Sequence, residues 1–204
     1  MPDVDAPSTR ERLLQAGREL FLSQGFDATS LDQVRQRAGA SNGSLYHHFP
    51  SKAHLARALY LEALASYHAA VQPALRGQPA AADGVRALVD RHIGWVLQHP
   101  EAARVLGELR SATRIDGQWP DWAAINRGAF EPLQAWIAAE VAAGRMLDMP
   151  FDTWLALVLA PSLQRAEAWL RQPRPQVPAR ERVLLAEAAA RSVTPNPPPA
   201  RSSR

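Results

Sequence analysis

The sequence predicts an all-α chain: a compact N-terminal three-helix headpiece containing a helix-turn-helix, followed by a larger helical half. Three observations predict it. Apolar residues recur at helical spacing along the chain, and no run alternates as a strand. Serine caps and glycine stops bracket short helices before residue 50, while prolines separate longer ones after it. Hydrophobic residues make up 47% of the 204 and charged residues 21%, enough apolar material for a core.

Residues 1–7, with two prolines and two aspartates, read as a loose arm. Ser8 and Thr9 offer caps for a helix over 9–24, with Leu13, Gly17, Leu20 and Phe21 on one stripe. Gly25 stops it. Ser30 and Gln33 form a capping box for a short helix over 31–38, whose inner face is Leu31, Val34 and Ala38. Gly39 ends that helix, and a third over 42–48 follows within a few residues and stops before Pro50. Ser51 caps a fourth over 52–75, with Leu55, Leu59, Ala63 and Tyr67 on one side and Pro73 near its end. Further helices are expected over 82–98, 100–112, 121–144, 151–171 and 178–192. The tail, 193–204, is too polar and proline-rich to pack. The expected organisation is an arm (1–7), a headpiece (8–51), a large helical domain (52–192) and the tail.

Composition excludes several classes. Cysteine is absent, which removes disulfides, thiolate metal sites and cysteine nucleophiles. Neither a metal-spacing cluster, a phosphate loop nor a G-x-S-x-G elbow occurs, so an enzyme is not expected and no cofactor or metal is assigned. No apolar stretch approaches the roughly 20 residues of a spanning helix, and no secretory leader precedes residue 12, so no membrane partner and a cytoplasmic location are expected. The net charge of +3 is too mild to identify a partner.

The third helix sharpens the reading. Wound at about 100° per residue, Leu45 and Phe49 fall within about 40° of one another and form the inward side. Gly43, His47 and Ser44 face away, and Tyr46 and His48 flank them. Small or hydrogen-bonding groups suit base edges in a major groove, while longer donors on both flanks reach the phosphate walls. Gly43 permits a close backbone approach. Lys52 is the single lysine among 23 basic residues, and its ammonium stands one turn beyond as a point charge for a phosphate. Thr29 offers a hydroxyl to a phosphate, or serves simply as a turn residue.

These residues resemble a family. Over 9–55, Ala16, Leu20, Phe21, Gly25, Phe26, Thr29, Val34, Ala38, Gly39, Ser41, Gly43, Leu45, Tyr46, Phe49, Lys52 and Leu55 match the DNA-binding domain of the tetracycline-repressor (TetR) family. The segment from Gly43 to Lys52 is the specific part. The resemblance implies phosphate contacts from Thr29, Tyr46, His48 and Lys52, and base contacts from Asn42, Gly43, Ser44 and His47. Family members commonly carry isoleucine and alanine where this chain has Val34 and Arg35. Arg35 then either adds a backbone contact or is solvated.

A single headpiece covers about half of a two-turn operator, so a palindromic DNA site implies a homodimer. The expected dimer face combines Leu155, Leu159, Leu163, Ala166 and Leu170 with Val183, Leu184, Ala186 and Ala190, the alternative being intramolecular core. Middle-helix aromatics with a few polar groups suggest a pocket for a small-molecule effector of unknown identity. Its expected lining is His92, Trp95, Arg110, Trp119, Trp122, Asn126, Phe130 and Trp154, with ordinary core again the alternative; Trp136 lies on the same helices. The expected function is a ligand-responsive repressor of transcription. The competing class is a helical protein–protein adaptor with a non-functional headpiece.

Overall fold

Ten α-helices and one 3-10 turn account for the regular structure, with no strand among the described residues. The structure is a computed structural model. It describes residues 7–77, 80–116 and 122–195, the side chains of 110–129 excepted. The helices are α1 (Thr9–Gln24), α2 (Leu31–Ala38), α3 (Asn42–His48), α4 (Lys52–Val71), α5 (Ala81–Gln98), α6 (Pro100–Asp116), α7 (Trp122–Ala142), α8 (Phe151–Val158), α9 (Ala160–Leu170) and α10 (Ala179–Val193). The all-α expectation is met. The segments 1–6 and 196–204, most of the expected arm and tail, lie outside the described residues.

Chain contacts group into two units: residues 1–66 with 101–122, and residues 67–100 with 123–204. In the first, local signals set the helix ends. Ser8 and Glu11 close a capping box on α1, and Ser30 and Gln33 close one on α2. Gly39 takes the left-handed conformation (φ 60°), and the Ala40 N–H reaches back to the Arg35 carbonyl at 3.0 Å. That closure satisfies α2's last carbonyls and leaves Ser41 free to cap α3 through the Ser44 N–H. Leu13, Phe21, Val34, Leu45, Phe49, Leu55 and Leu59 are buried around this three-helix arrangement. Leu20, expected inside, is only half-buried. At Gly17 an added Cβ would stand 2.8 Å from Leu55 Cδ2, so a larger residue there requires the Leu55 side chain to shift.

In the second unit α10 packs on α5 and α8, and α9 packs on α5 and α8. Trp154, Trp169, Val85, Val89 and Ile93 lie in its core. Three details differ from the sequence expectation. The helix expected over 52–75 stays α-helical to Val71 and then tightens into a 3-10 turn, Gln72–Leu75, because Pro73 has no N–H to continue the ladder. The helix expected over 151–171 is two helices broken at Leu159, just before Pro161. Val193, expected to open the tail, ends α10 fully buried, and its carbonyl accepts from the Leu147 N–H at 2.8 Å. No helix is long and apolar enough to cross a membrane among the described residues.

Candidate nucleic-acid interface

α3 is held by its back. Leu45 and Phe49 are buried, the Phe49 N–H returns to the Leu45 carbonyl at 2.8 Å, and the Arg10 guanidinium stands 5.8 Å above the Phe49 ring. The opposite side is open. Asn42, Gly43, Tyr46 and His47 are exposed, whereas Ser44 and His48 are half-buried. Tyr46 is 55% exposed, a large apolar ring standing in solvent. Gly43 has a negative φ, and nothing lies within 4 Å of where its Cβ would be. The protein's own packing therefore does not require glycine there, although glycine weakens a helix by about 1 kcal/mol relative to alanine. The His47 and His48 rings meet edge to face in the last turn, with centroids 5.2 Å apart.

Thr29 and Lys52 are tied into the loop between α1 and α2. Thr29 is buried; its hydroxyl donates to the Gly25 carbonyl at 2.8 Å and accepts from Gln24 Nε2 at 3.2 Å. Its one hydroxyl proton is thereby used inside the fold. Lys52 Nζ donates to the Phe26 carbonyl at 2.8 Å and the Asp27 carbonyl at 3.1 Å, and stands 4.4 Å from the Phe26 ring centroid. An ammonium has three N–H groups, so one remains for a further acceptor. From α6, the Glu108 carboxylate accepts the Phe26 N–H at 2.9 Å. Sequence reasoning missed Glu108, which is 82 residues away in the chain and carries no local signal. Arg35 is half-buried, pairs with Asp32 at 2.8 Å and also reaches the Ala40 carbonyl.

The second unit holds a cleft of about 540 Å³. Its walls include Tyr67, His68, Arg76, Phe130, Trp136 and Glu140. Of the expected lining residues, Phe130 is there. His92 lies behind the wall, its Nδ1 3.2 Å from the Tyr67 hydroxyl, and Trp95 meets the Tyr67 ring edge at 5.1 Å. Trp154 is buried elsewhere in the unit, donating its Nε1–H to Met146 Sδ. The side chains of Arg110, Trp119, Trp122 and Asn126 lie outside the described residues. Within the wall, Glu140 is buried and bound at both oxygens by Arg145, at 2.6 and 2.8 Å, which holds its carboxyl below the usual carboxylate range. Burial pushes the His68 imidazole below its ordinary 6.5, and its Nε2 has no hydrogen-bond partner. Sequence reasoning missed both His68 and Arg76: His68 lies on α4 next to the stripe residue Tyr67, and Arg76 follows the 3-10 turn in extended backbone, with no local pattern to mark either.

Among the expected dimer-face residues, Val183 is exposed at 60%. Leu155, Leu163 and Leu170 are half-buried, and Leu159, Ala166, Ala186 and Ala190 are buried inside the unit. Leu184, also expected there, is 54% exposed, and Leu157, outside the expected face, is 38% exposed; with Val183 they are exposed large apolar side chains of α8 and α10. Leu157 falls outside the expected stripe because it lies two residues, about 200°, around α8 from Leu155.

Comparison with known proteins agrees with this geometry. Residues 13–59 match the family model described as bacterial regulatory proteins, tetR family. The chain is 41% identical over 59 residues to the HTH-type transcriptional regulator UidR of Escherichia coli, covering 29% of this chain and 30% of that protein. The matched segment thus spans less than a third of that relative's length. Similarity to the HTH-type transcriptional activator FasR of Mycolicibacterium smegmatis is lower, 27% over 167 residues, but reaches 81% of this chain and 74% of that one. The crystal structure of a TetR family transcription regulator from Marinobacter aquaeolei shares the fold, with a TM-score of 0.77 at 21% identity, covering 92% of this chain and 96% of that one.

Proposed function

We propose, for a chain that belongs through its residues 13–59 to the tetR family of bacterial regulatory proteins, a homodimeric repressor of transcription that an effector releases from a palindromic operator. The carrying observation is α3 itself. Leu45 and Phe49 anchor it, while Asn42, Gly43, Tyr46 and His47 stand exposed on its far side. A duplex against that side explains a glycine the fold does not demand. Asn42, Gly43, Ser44 and His47 then read base edges. Tyr46, His48 and the remaining N–H of Lys52 meet phosphates, and Thr29 shapes the loop that presents Lys52.

Two copies join through the exposed apolar side chains of α8 and α10, chiefly Leu157, Val183 and Leu184. A palindromic operator asks such a pair to read half-sites about 34 Å apart, or a multiple of it. The effector enters the cleft of the second unit. α4 carries Lys52 at one end and His68 near the other, so a shift of that helix changes the spacing of the two α3 helices.

A gel shift with DNA from upstream of the chain's own gene, run across a salt series, tests the reading. The expected result is a shift that weakens steeply with salt. His47→Ala should change the preference between sequences by about 1–3 kcal/mol per lost base contact. A folded chain that gives no shift at low salt would overturn it.

A further inference from the structure

We propose that the cleft of the second unit takes a planar aromatic acid bearing a second polar oxygen, with its carboxylate at Arg76 and that oxygen at His68. This rests on reading the cleft as the effector site and names the chemistry of what enters it. The walls are built from rings: Tyr67, Phe130 and Trp136, with His68 edge-on to Phe130 at 5.8 Å. Such walls favour a flat apolar body, which meets ring faces and edges at once.

The charges select the sign of the ligand. Glu140 cannot receive a cation, because Arg145 already binds both of its oxygens. Arg76 is exposed and makes no ion pair among the described residues. The net charge of the described lining is therefore positive, and it resides on Arg76. A guanidinium matches a carboxylate in two parallel hydrogen bonds. A cationic ligand would meet Arg76 with no free carboxylate to offset it.

His68 sets the second point. Its Nε2 is shut off from solvent and has no hydrogen-bond partner. A neutral imidazole presents one N–H and one lone pair, and a hydroxyl satisfies either tautomer. His68 and Arg76 are separated by the last turn of α4 and the 3-10 turn, about 13 Å along the axis before side-chain reach is counted. The ligand is accordingly elongated, with its two polar groups at opposite ends.

The test is calorimetric titration of the full chain with 6-hydroxy-2-naphthoate, 2-naphthoate and 2-naphthol. The first carries both groups and each of the others lacks one. In the parent chain, 6-hydroxy-2-naphthoate should bind tightest, and loss of either group should weaken binding about tenfold. In Arg76→Gln, 2-naphthol and 6-hydroxy-2-naphthoate should bind alike. In His68→Leu, 2-naphthoate and 6-hydroxy-2-naphthoate should bind alike. Ala139→Trp, which fills the cleft, should abolish binding while the far-UV spectrum stays parental. The proposal is overturned if the parent binds none of the probes, if the variants leave both group preferences intact, or if a folded Ala139→Trp chain binds as before. The gel shift with upstream DNA, run in parallel, keeps the two readings apart. DNA binding without probe binding overturns the ligand class alone, and selective probe binding without DNA binding overturns the regulator alone.

Discussion

Replacing Lys52 by Met removes an ammonium while keeping an unbranched stem of similar length. The ammonium donates to the Phe26 carbonyl at 2.8 Å and the Asp27 carbonyl at 3.1 Å, and faces the Phe26 ring at 4.4 Å. A hydrogen bond to a charged group contributes about 1.5–3 kcal/mol net, and an exposed cation–π contact about 0.5–1 kcal/mol. Both figures sit at their low ends here. The Asp27 contact is solvent-exposed, and the Phe26 carbonyl keeps a second donor, the Thr29 N–H at 3.2 Å, after the substitution. The expected loss is about 2 kcal/mol, a roughly thirtyfold fall in the folded-to-unfolded ratio. Urea unfolding of the full chain measures it, and hydrogen exchange over residues 25–29 localises it to the loop. On the proposed phosphate contact of the remaining N–H, the salt slope of operator binding should fall by about one unit, equally for all sequences. A Lys52→Met chain within about 0.5 kcal/mol of the parent, with unchanged exchange over 25–29, would refute the clamp: such a difference is no larger than that of an ordinary surface substitution.

Three further outcomes are expected. Gly17→Ala places a methyl 2.8 Å from Leu55 Cδ2 and should destabilise the first unit by about 1–3 kcal/mol; a melt at or above the parent's would show that Leu55 moves aside freely. His68 is held neutral by burial, so the unfolded chain takes up its proton first as pH falls below the ordinary 6.5. Its contribution to stability is therefore fully present above that value and declines as pH falls toward the depressed folded value. In urea unfolding at pH 7.5 and pH 5, His68→Gln should show a smaller drop than the parent, and an equal drop would contradict the burial argument. Leu184→Glu, on an exposed position of α10, should leave the fold intact and shift the chain to monomer in sedimentation velocity, with loss of operator binding; an unchanged dimer would move the interface elsewhere.

The headpiece was legible because its determinants are local. Ser30 finds Gln33, Gly39 supplies a left-handed stop, and Leu45 with Phe49 marks the buried side of α3, all within a few residues of one another. Such signals follow from backbone geometry and need no partner from elsewhere in the chain. The second half was less legible because the expected stripe over 151–171 assumed one continuous helix, and Pro161 broke it. The tryptophans marked burial without distinguishing wall from core: Trp136 faces the cleft and Trp154 does not.

By itself the sequence determined the all-helical class, the headpiece helices and the side of α3 that faces outward, since periodicity and capping act over one or two turns. Tertiary structure alone decided that Lys52 clamps the Phe26 and Asp27 carbonyls, that Glu108 reaches the same loop, and that His68 and Arg76 share a cleft wall with Phe130 and Trp136. Those groups meet only once distant helices pack. A hydrogen bond across 82 residues leaves no trace in the pattern of the loop or of the helix that makes it.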